Sequence, residues 1–282
     1  GQVEWTIGPV TLLAATRYTS EDRELDITQT SSIAGPLFNW NTASLLARQA
    51  AGQNISPKRS FSDNTPKFGI NWQVNDDLFA YASYTEGFRS GGWTGRAFNV
   101  TQYINFNPEN VESIEAGLKA TLAGGRVRWN TSVFSMDYTD LFNTLTIAGV
   151  FTVQTADATI EGVESELTWR ATNWLDLFAN LGWLDTSYDG TRPANLAPEL
   201  QRAPELQLKA GFSVDYPLAA GRLLVNGDVF HTEEYRVTPA NLAFTAPLLA
   251  PGVGVTGPFT IINASVGYRW NDDKYEISAA CT

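Results

Sequence analysis

Residues 205–216 read ELQLKAGFSVDY, and every second side chain is apolar. Leu206, Leu208, Ala210, Phe212, Val214 and Tyr216 alternate with Glu205, Gln207, Lys209, Gly211, Ser213 and Asp215. Successive side chains of a strand point to opposite faces, so a period of two predicts a β-strand with one greasy and one polar face. The same alternation recurs in 66–74, 111–122, 174–184 and 261–270, with Phe68, Ile70, Trp72, Ile114, Leu118, Leu181, Trp183, Ile262 and Val266 on the apolar rows. Less regular members cover 2–8, 10–19, 77–88, 126–138, 159–171, 222–234 and 274–281. The count predicts about twelve strands and no helix.

A soluble sandwich also alternates, so length and connection pattern must decide. These strands run to roughly 9–13 residues, near the 9–11 of a membrane-spanning strand and well above the 5–6 of soluble sheets. Short turns (Gly8-Pro9, Asn75 to Asp77, Ala123 to Gly125, Thr172-Asn173, Pro217 to Gly221, Asn271 to Asp273) alternate with long connections at about 20–63, 89–109, 139–157, 189–203 and 235–257. In an up-and-down meander every second connection lies at the same end. The short turns therefore share one end and the long loops the other, which is how outer-membrane barrels are built. The expectation is an all-β, transmembrane, antiparallel up-and-down barrel. Trp72, Trp174, Trp270, Phe79 and Tyr275 beside the short turns, with Tyr18, Tyr84, Tyr138 and Tyr188 near the long loops, are expected to form interfacial girdles. Phe178 and Phe134 fall mid-strand on the other face.

Composition removes several alternatives. The 282 residues carry 19 Lys and Arg against 30 Asp and Glu, a formal net charge of −11. Nucleic-acid recognition needs a basic face, so that class is excluded. No apolar run reaches the 18–20 residues of a spanning helix, and the opening GQVEWTIGPV has no charged segment followed by an apolar one, as a signal peptide would. One cysteine, Cys281, and one histidine, His231, leave no disulfide framework, His-based metal centre or Ser-His-Asp site. No cofactor is expected, and the chain reads as a non-enzyme.

Beyond periodicity, an ordered series of motifs carries a resemblance. LFAYASYTEGFRSGG (78–92) precedes NPENVESIEAGLK (107–119), VFSMDYTDLF (133–142), TADATIEGVESELTW (155–169) and RAPELQLKAGFSVDYPL (202–218). Together they resemble the C-terminal barrel of TonB-dependent outer-membrane receptors. The resemblance implies a 22-stranded barrel, of which residues 1–282 would supply strands 10 to 21, with an N-terminal plug, the earlier strands and the last strand lying outside this chain. It implies a multi-pass protein of the Gram-negative outer membrane that binds a scarce nutrient. A ferric siderophore comes first, with haem, cobalamin or an oligosaccharide behind it. Implied partners are the TonB–ExbB–ExbD complex, the protein's own plug, and outer-membrane lipid and lipopolysaccharide. The alternative is a passive porin or diffusion channel.

Candidate residues follow from position. Glu115, Lys119, Glu164, Glu166, Asp176, Lys209, Asn226, Asp228 and Arg269 lie on the polar rows and are expected to form a hydrated wall or hold a plug. The GFRSGG segment (87–92) lacks the Lys-Ser/Thr of a phosphate loop and reads as a strand breaking into an outer loop. Arg89 in it, with Trp93 and Arg96 in the loop that follows, are the substrate-binding candidates. Asp76-Asp77 and Asp272-Asp273 read as turn chemistry, while Glu21-Asp22 and Glu233-Glu234 border long loops. Residues 235–258, rich in Pro and Gly, are a candidate lid.

Overall fold

The structure, a computed structural model, describes residues 1–31, 39–94, 100–147, 150–241, 253–271 and 273–282. Twelve long strands carry the fold: β1 (Gln2–Ile7), β2 (Val10–Glu24), β3 (Lys58–Asn75), β4 (Leu78–Arg89), β5 (Glu109–Leu122) and β6 (Val127–Ile147). They are followed by β7 (Val150–Arg170), β8 (Leu175–Tyr188), β9 (Leu206–Leu218), β10 (Gly221–Thr232), β11 (Phe259–Trp270) and β12 (Tyr275–Cys281). Each pairs only with its sequence neighbours, giving one twelve-stranded sheet in chain order. Every pairing is antiparallel, so the meander is up-and-down throughout. The sheet is open, with β1 and β12 as its edges.

Register keeps the apolar rows continuous. Ala116 lies opposite Val133, Val133 opposite Val163, Val163 opposite Trp183, and Trp183 opposite Leu206. Because a slip by one residue would move a whole row to the other face, this alignment is strongly specified. The row is not a dry core. Ile114 is 61% exposed, Val133 53% and Ile262 66%, as expected of side chains meant for hydrocarbon rather than for a second protein layer. The intervening row carries Glu115, Lys119, Glu164, Glu166, Asp176, Lys209, Asp228 and Arg269 on one shared face. Among the described residues no helix is long and apolar enough to cross a membrane.

The short turns sit together at one end as expected, and several require a left-handed backbone. Gly124 and Gly125 take φ of 64° and 87°, where a Cβ would be strained. At Asn75 to Asp77 the Asn75 side chain accepts the Asp77 N–H at 2.9 Å, the local bond that Asx turns use. Trp72, Trp270 and Tyr275 point outward near this end and are exposed, as a girdle requires. Three aromatics depart from that expectation. Phe79 stacks on Tyr81 of the polar row, and Tyr138 faces Ala158 with Tyr188 beside it, on the lumen side. Strand parity overrules simple nearness to an interface.

Two connections differ from the sequence reading. The 20–63 loop contains α1 (Thr42–Ala50), although no helix is expected there. Asn41 caps it, accepting the Ser44 N–H at 3.1 Å while the Ser44 hydroxyl accepts the Asn41 N–H at 3.3 Å, a reciprocal capping box. Leu45 is fully buried against Trp40, Ile55, Val100 and Tyr103. This helix is nine residues long, too short to announce itself by periodicity. Within the 139–157 stretch, residues 139–147 and 150–157 are strand rather than loop, belonging to β6 and β7. A bulge between Tyr138 and Leu141 breaks the alternation there, and Asp140 takes a φ of 57°.

Candidate ligand cleft above the sheet

The packed side chains cluster at the long-loop end. One group is Trp40, Leu45, Ile55, Val100 and Tyr103, with Trp93 against it. A second is Leu145, Ala156, Leu196 and Ala240, with Tyr188 against it. Together they turn the ends of the strands into a built surface. The β6–β7 hairpin stands between them. Asn143 and Leu145 of one row are buried, and the Tyr188 hydroxyl donates to Asn143 Oδ1 at 3.0 Å. The alternate row, Phe142 and Thr144, faces the segment after β4.

That segment is tied down by charge. The Glu21 carboxylate accepts from Arg23 Nε at 2.8 Å and from the Ser90 hydroxyl at 2.5 Å, and Arg23 Nη1 donates to the Gly91 carbonyl at 2.9 Å. Arg59 Nη1 donates to the Phe106 carbonyl at 2.6 Å and the Gly92 carbonyl at 3.2 Å. Trp93 Nε1 donates to the Ser56 carbonyl at 2.6 Å. Hydrogen bonds from Arg23 first, and then from Ser90, hold the Glu21 carboxyl below its usual pKa, because each stabilises the charged form. Gly91 is required here: an added Cβ would sit 2.4 Å from the Phe106 carbonyl oxygen.

Between the segment and the hairpin lies a cavity of about 470 Å³, within the usual range for small-molecule sites. Arg89, Trp93, Thr94 and Phe106 form one wall, and Phe142, Thr144 and Val153 face them. The Arg89 guanidinium lies 4.7 Å from the Phe142 ring centroid, and Phe106 meets Phe142 edge-on at 4.8 Å. Two of the three sequence candidates, Arg89 and Trp93, are therefore brought together. Arg96 falls outside the described residues. Thr94, Phe106, Phe142 and Thr144 were not singled out in the sequence, because Phe142 and Thr144 lie beyond the bulge in what reads as loop.

The polar rows below form a wall of paired groups. Tyr81 donates to the Glu115 carboxylate, and the Lys119 ammonium lies 5.8 Å from the Tyr81 ring centroid. Arg170 pairs with Asp176 at 3.1 Å, Lys209 with Asp228 at 3.7 Å, and Arg269 with Glu276 at 2.8 Å. Asn226 bonds Ser213 and Ser265. Glu164 and Glu166 share this face opposite Gly182 and Asn180. Such solvated pairs contribute little stability each and make this face of the sheet polar. Elsewhere, His231 Nδ1 lies 2.9 Å from the Thr260 hydroxyl on the outward row. Among the described residues no group of three or more His, Cys, Asp or Glu is placed to share a metal. The candidate lid lies partly outside the described residues; its described part puts Ala240 against Leu196.

A continuous greasy exterior, a polar opposite face, tight turns at one end and built-up loops at the other define an outer-membrane β-barrel protein. The chain belongs to the TonB-dependent receptor family: the family description "TonB dependent receptor-like, beta-barrel" matches residues 1–282. Solved structures share the fold. The ferric yersiniabactin uptake receptor FyuA from Yersinia pestis superposes with a TM-score of 0.72 at 13% identity, over 96% of this chain and 37% of that one. BauA, the ferric preacinetobactin receptor from Acinetobacter baumannii, gives 0.62 at 17% identity over 94% and 34%. The copper transporter OprC gives 0.69 at 12% identity over 99% and 41%. The chain thus spans under half the length of each.

Proposed function

We propose that this chain is the larger part of the barrel of an import receptor. It captures a ferric siderophore at its outer face and passes it inward with energy supplied by TonB–ExbB–ExbD through a plug domain. The observation that carries this reading is the built extracellular end. Loops packed on two small cores frame an aromatic cleft with a cation in its wall, whereas a diffusion channel needs an unobstructed mouth. FyuA, a ferric yersiniabactin uptake receptor, and BauA, a ferric preacinetobactin receptor, support the choice of ligand. In this reading Arg89, Trp93 and Arg96 contact substrate. Glu115, Lys119, Glu164, Glu166, Asp176, Lys209, Asp228 and Arg269 line the lumen and contact the plug. The remaining strands and the plug belong to other parts of the polypeptide.

The test is uptake of radioactive iron by cells starved of it, with and without the full-length protein. Uptake should vanish when TonB is deleted or the proton gradient is collapsed. Energy-independent uptake, or a steady open conductance from the purified protein in a planar bilayer, would overturn the reading in favour of a passive pore.

A further inference from the structure

We propose that the outer wall over β1 to β5 holds one phospholipid whose head group ends in an ammonium. This goes beyond substrate uptake and needs only the outward assignment of the apolar rows. The argument starts from a groove of about 630 Å³ on that wall. It runs between two neighbouring rows. Val3, Phe68, Tyr84 and Ile114 stand on one, and Trp5 and Ile70 on the next. Ala82 lies opposite Ile70, and its small side chain opens the floor. No charged residue lines the groove.

Width and length select the occupant. Rows two residues apart are separated by about 6.6 Å. A helix is about 10 Å across and cannot sink between them, whereas a single extended hydrocarbon chain can. Phe68 and Tyr84 stack with centroids 6.5 Å apart and give that chain a flat side. Five strands at a spacing of about 4.8 Å make the groove roughly 19 Å long. One leaflet of hydrocarbon is about 15 Å deep, so an acyl chain lying obliquely along the tilted strands fits it end to end.

The mouth of the groove selects the head group. The Tyr84 hydroxyl is shared between Glu86 Oε1 at 2.6 Å and Glu112 Oε2 at 3.2 Å. Glu86 lies directly opposite Glu112, and Glu112 directly opposite Asp137. Like charges in that arrangement repel. Among the described residues no Lys, Arg or His lies within ion-pair distance of any of the three. Uncompensated carboxylates beside an apolar groove call for a cation carried on a hydrocarbon chain. A head group with a phosphate and no ammonium is repelled by the same charges.

The experiment uses the full-length receptor in detergent, stripped of lipid and titrated with phosphatidylethanolamine in native mass spectrometry. Phosphatidylglycerol with the same chains has the hydrocarbon without the cation, and glycerophosphoethanolamine the cation without the hydrocarbon. The expected result is one phosphatidylethanolamine retained per receptor, at least tenfold weaker retention of phosphatidylglycerol, and no binding of glycerophosphoethanolamine. Ala82→Phe fills the groove and should weaken phosphatidylethanolamine at least tenfold. Glu86→Gln combined with Glu112→Gln should cut the preference between the two phospholipids at least fivefold while the chains are still held. Heat-modifiable gel migration confirms that each variant is folded. Equal retention of the two phospholipids by the unaltered receptor, or an undiminished preference in the double variant, would overturn the proposal. Undiminished retention in Ala82→Phe would overturn it too, since the lipid would then sit elsewhere on the wall.

Discussion

At the scale of single residues, the barrel wall depends on glycines lying under aromatic rings. Tyr81 covers Gly117, Phe134 covers Gly162, and Phe178 covers Gly211, with an added Cβ only 2.5–2.6 Å from each ring. This explains why Phe134 and Phe178, anomalous on a polar face, are there: each ring fills the notch its neighbour leaves. Gly162→Ala would also press on the Trp183 carbonyl at 2.9 Å, which cannot swing aside, so a loss of about 1–3 kcal/mol is expected. Gly182, on the same face, has nothing within 4 Å of an added Cβ, and Gly182→Ala should change stability by under about 0.5 kcal/mol. Thermal unfolding of the full-length protein in detergent distinguishes the two. Glu21 gives a pH prediction. Its carboxyl is held below the usual value, so the contribution to anchoring is complete above the ordinary glutamate pKa of about 4.3. It is lost as the pH falls through the lower native value. Protease cutting within 89–106 should stay constant from neutral pH to about 5 and rise below about 4. Glu21→Gln should cut readily at neutral pH; an unchanged acid step in that variant would place the anchor elsewhere.

Among the elements, the β6–β7 hairpin decides most. Each of its strands is 21 residues long, roughly twice what a bilayer needs. At its waist Asp140 adopts φ 57° and its N–H is accepted by Asp157 Oδ1 at 2.9 Å. Asp140→Val places a branched side chain in the left-handed region and should destabilise the upper hairpin by about 1–2 kcal/mol. Asp140→Gly should be tolerated. Hydrogen exchange of residues 141–155 measures both. The bulge also shows where sequence reading stops. Below it, residues 126–138 and 159–171 alternate cleanly and their strands were legible. Above it β6 gains one residue on β7, so 139–147 loses phase with the lower half of its own strand and the whole stretch reads as a loop. Arg89 and Trp93 were found because glycines flag the end of β4. Their partners Phe142 and Thr144 were not, since a cleft formed across a bulge has no local signature. The α1 helix was missed for a related reason: burial of Leu45 by distant Val100 and Tyr103 stabilises it, and no window of sequence contains that contact.

For the molecule as a whole, the assignment of faces can be tested through the chain's single cysteine. Cys281 is exposed and opposite Ala264, on the row that includes Val266 and Ala279. In the full-length protein in vesicles it should react with an apolar maleimide and resist a sulfonated one. Ala280→Cys, placed on the opposite row in a Cys281→Ser background, should show the reverse preference. Identical labelling of both sites would sink the inside–outside assignment. Alternation, strand number and turn asymmetry made this architecture readable without coordinates, because a bilayer imposes one rule on every strand at once. The extracellular surface obeys no such rule, and its contacts are particular to this chain. One consequence concerns mechanics. The upper hairpin reaches nine residues past Tyr138, to Ile147, about 30 Å at the rise of a strand, and is gripped on one flank by Arg89 and Phe106 and on the other by Leu196 and Tyr188. A ribbon held between two such jaws should act as a stiff lever with its joint at the bulge, so that a push on the first side would be carried to the second.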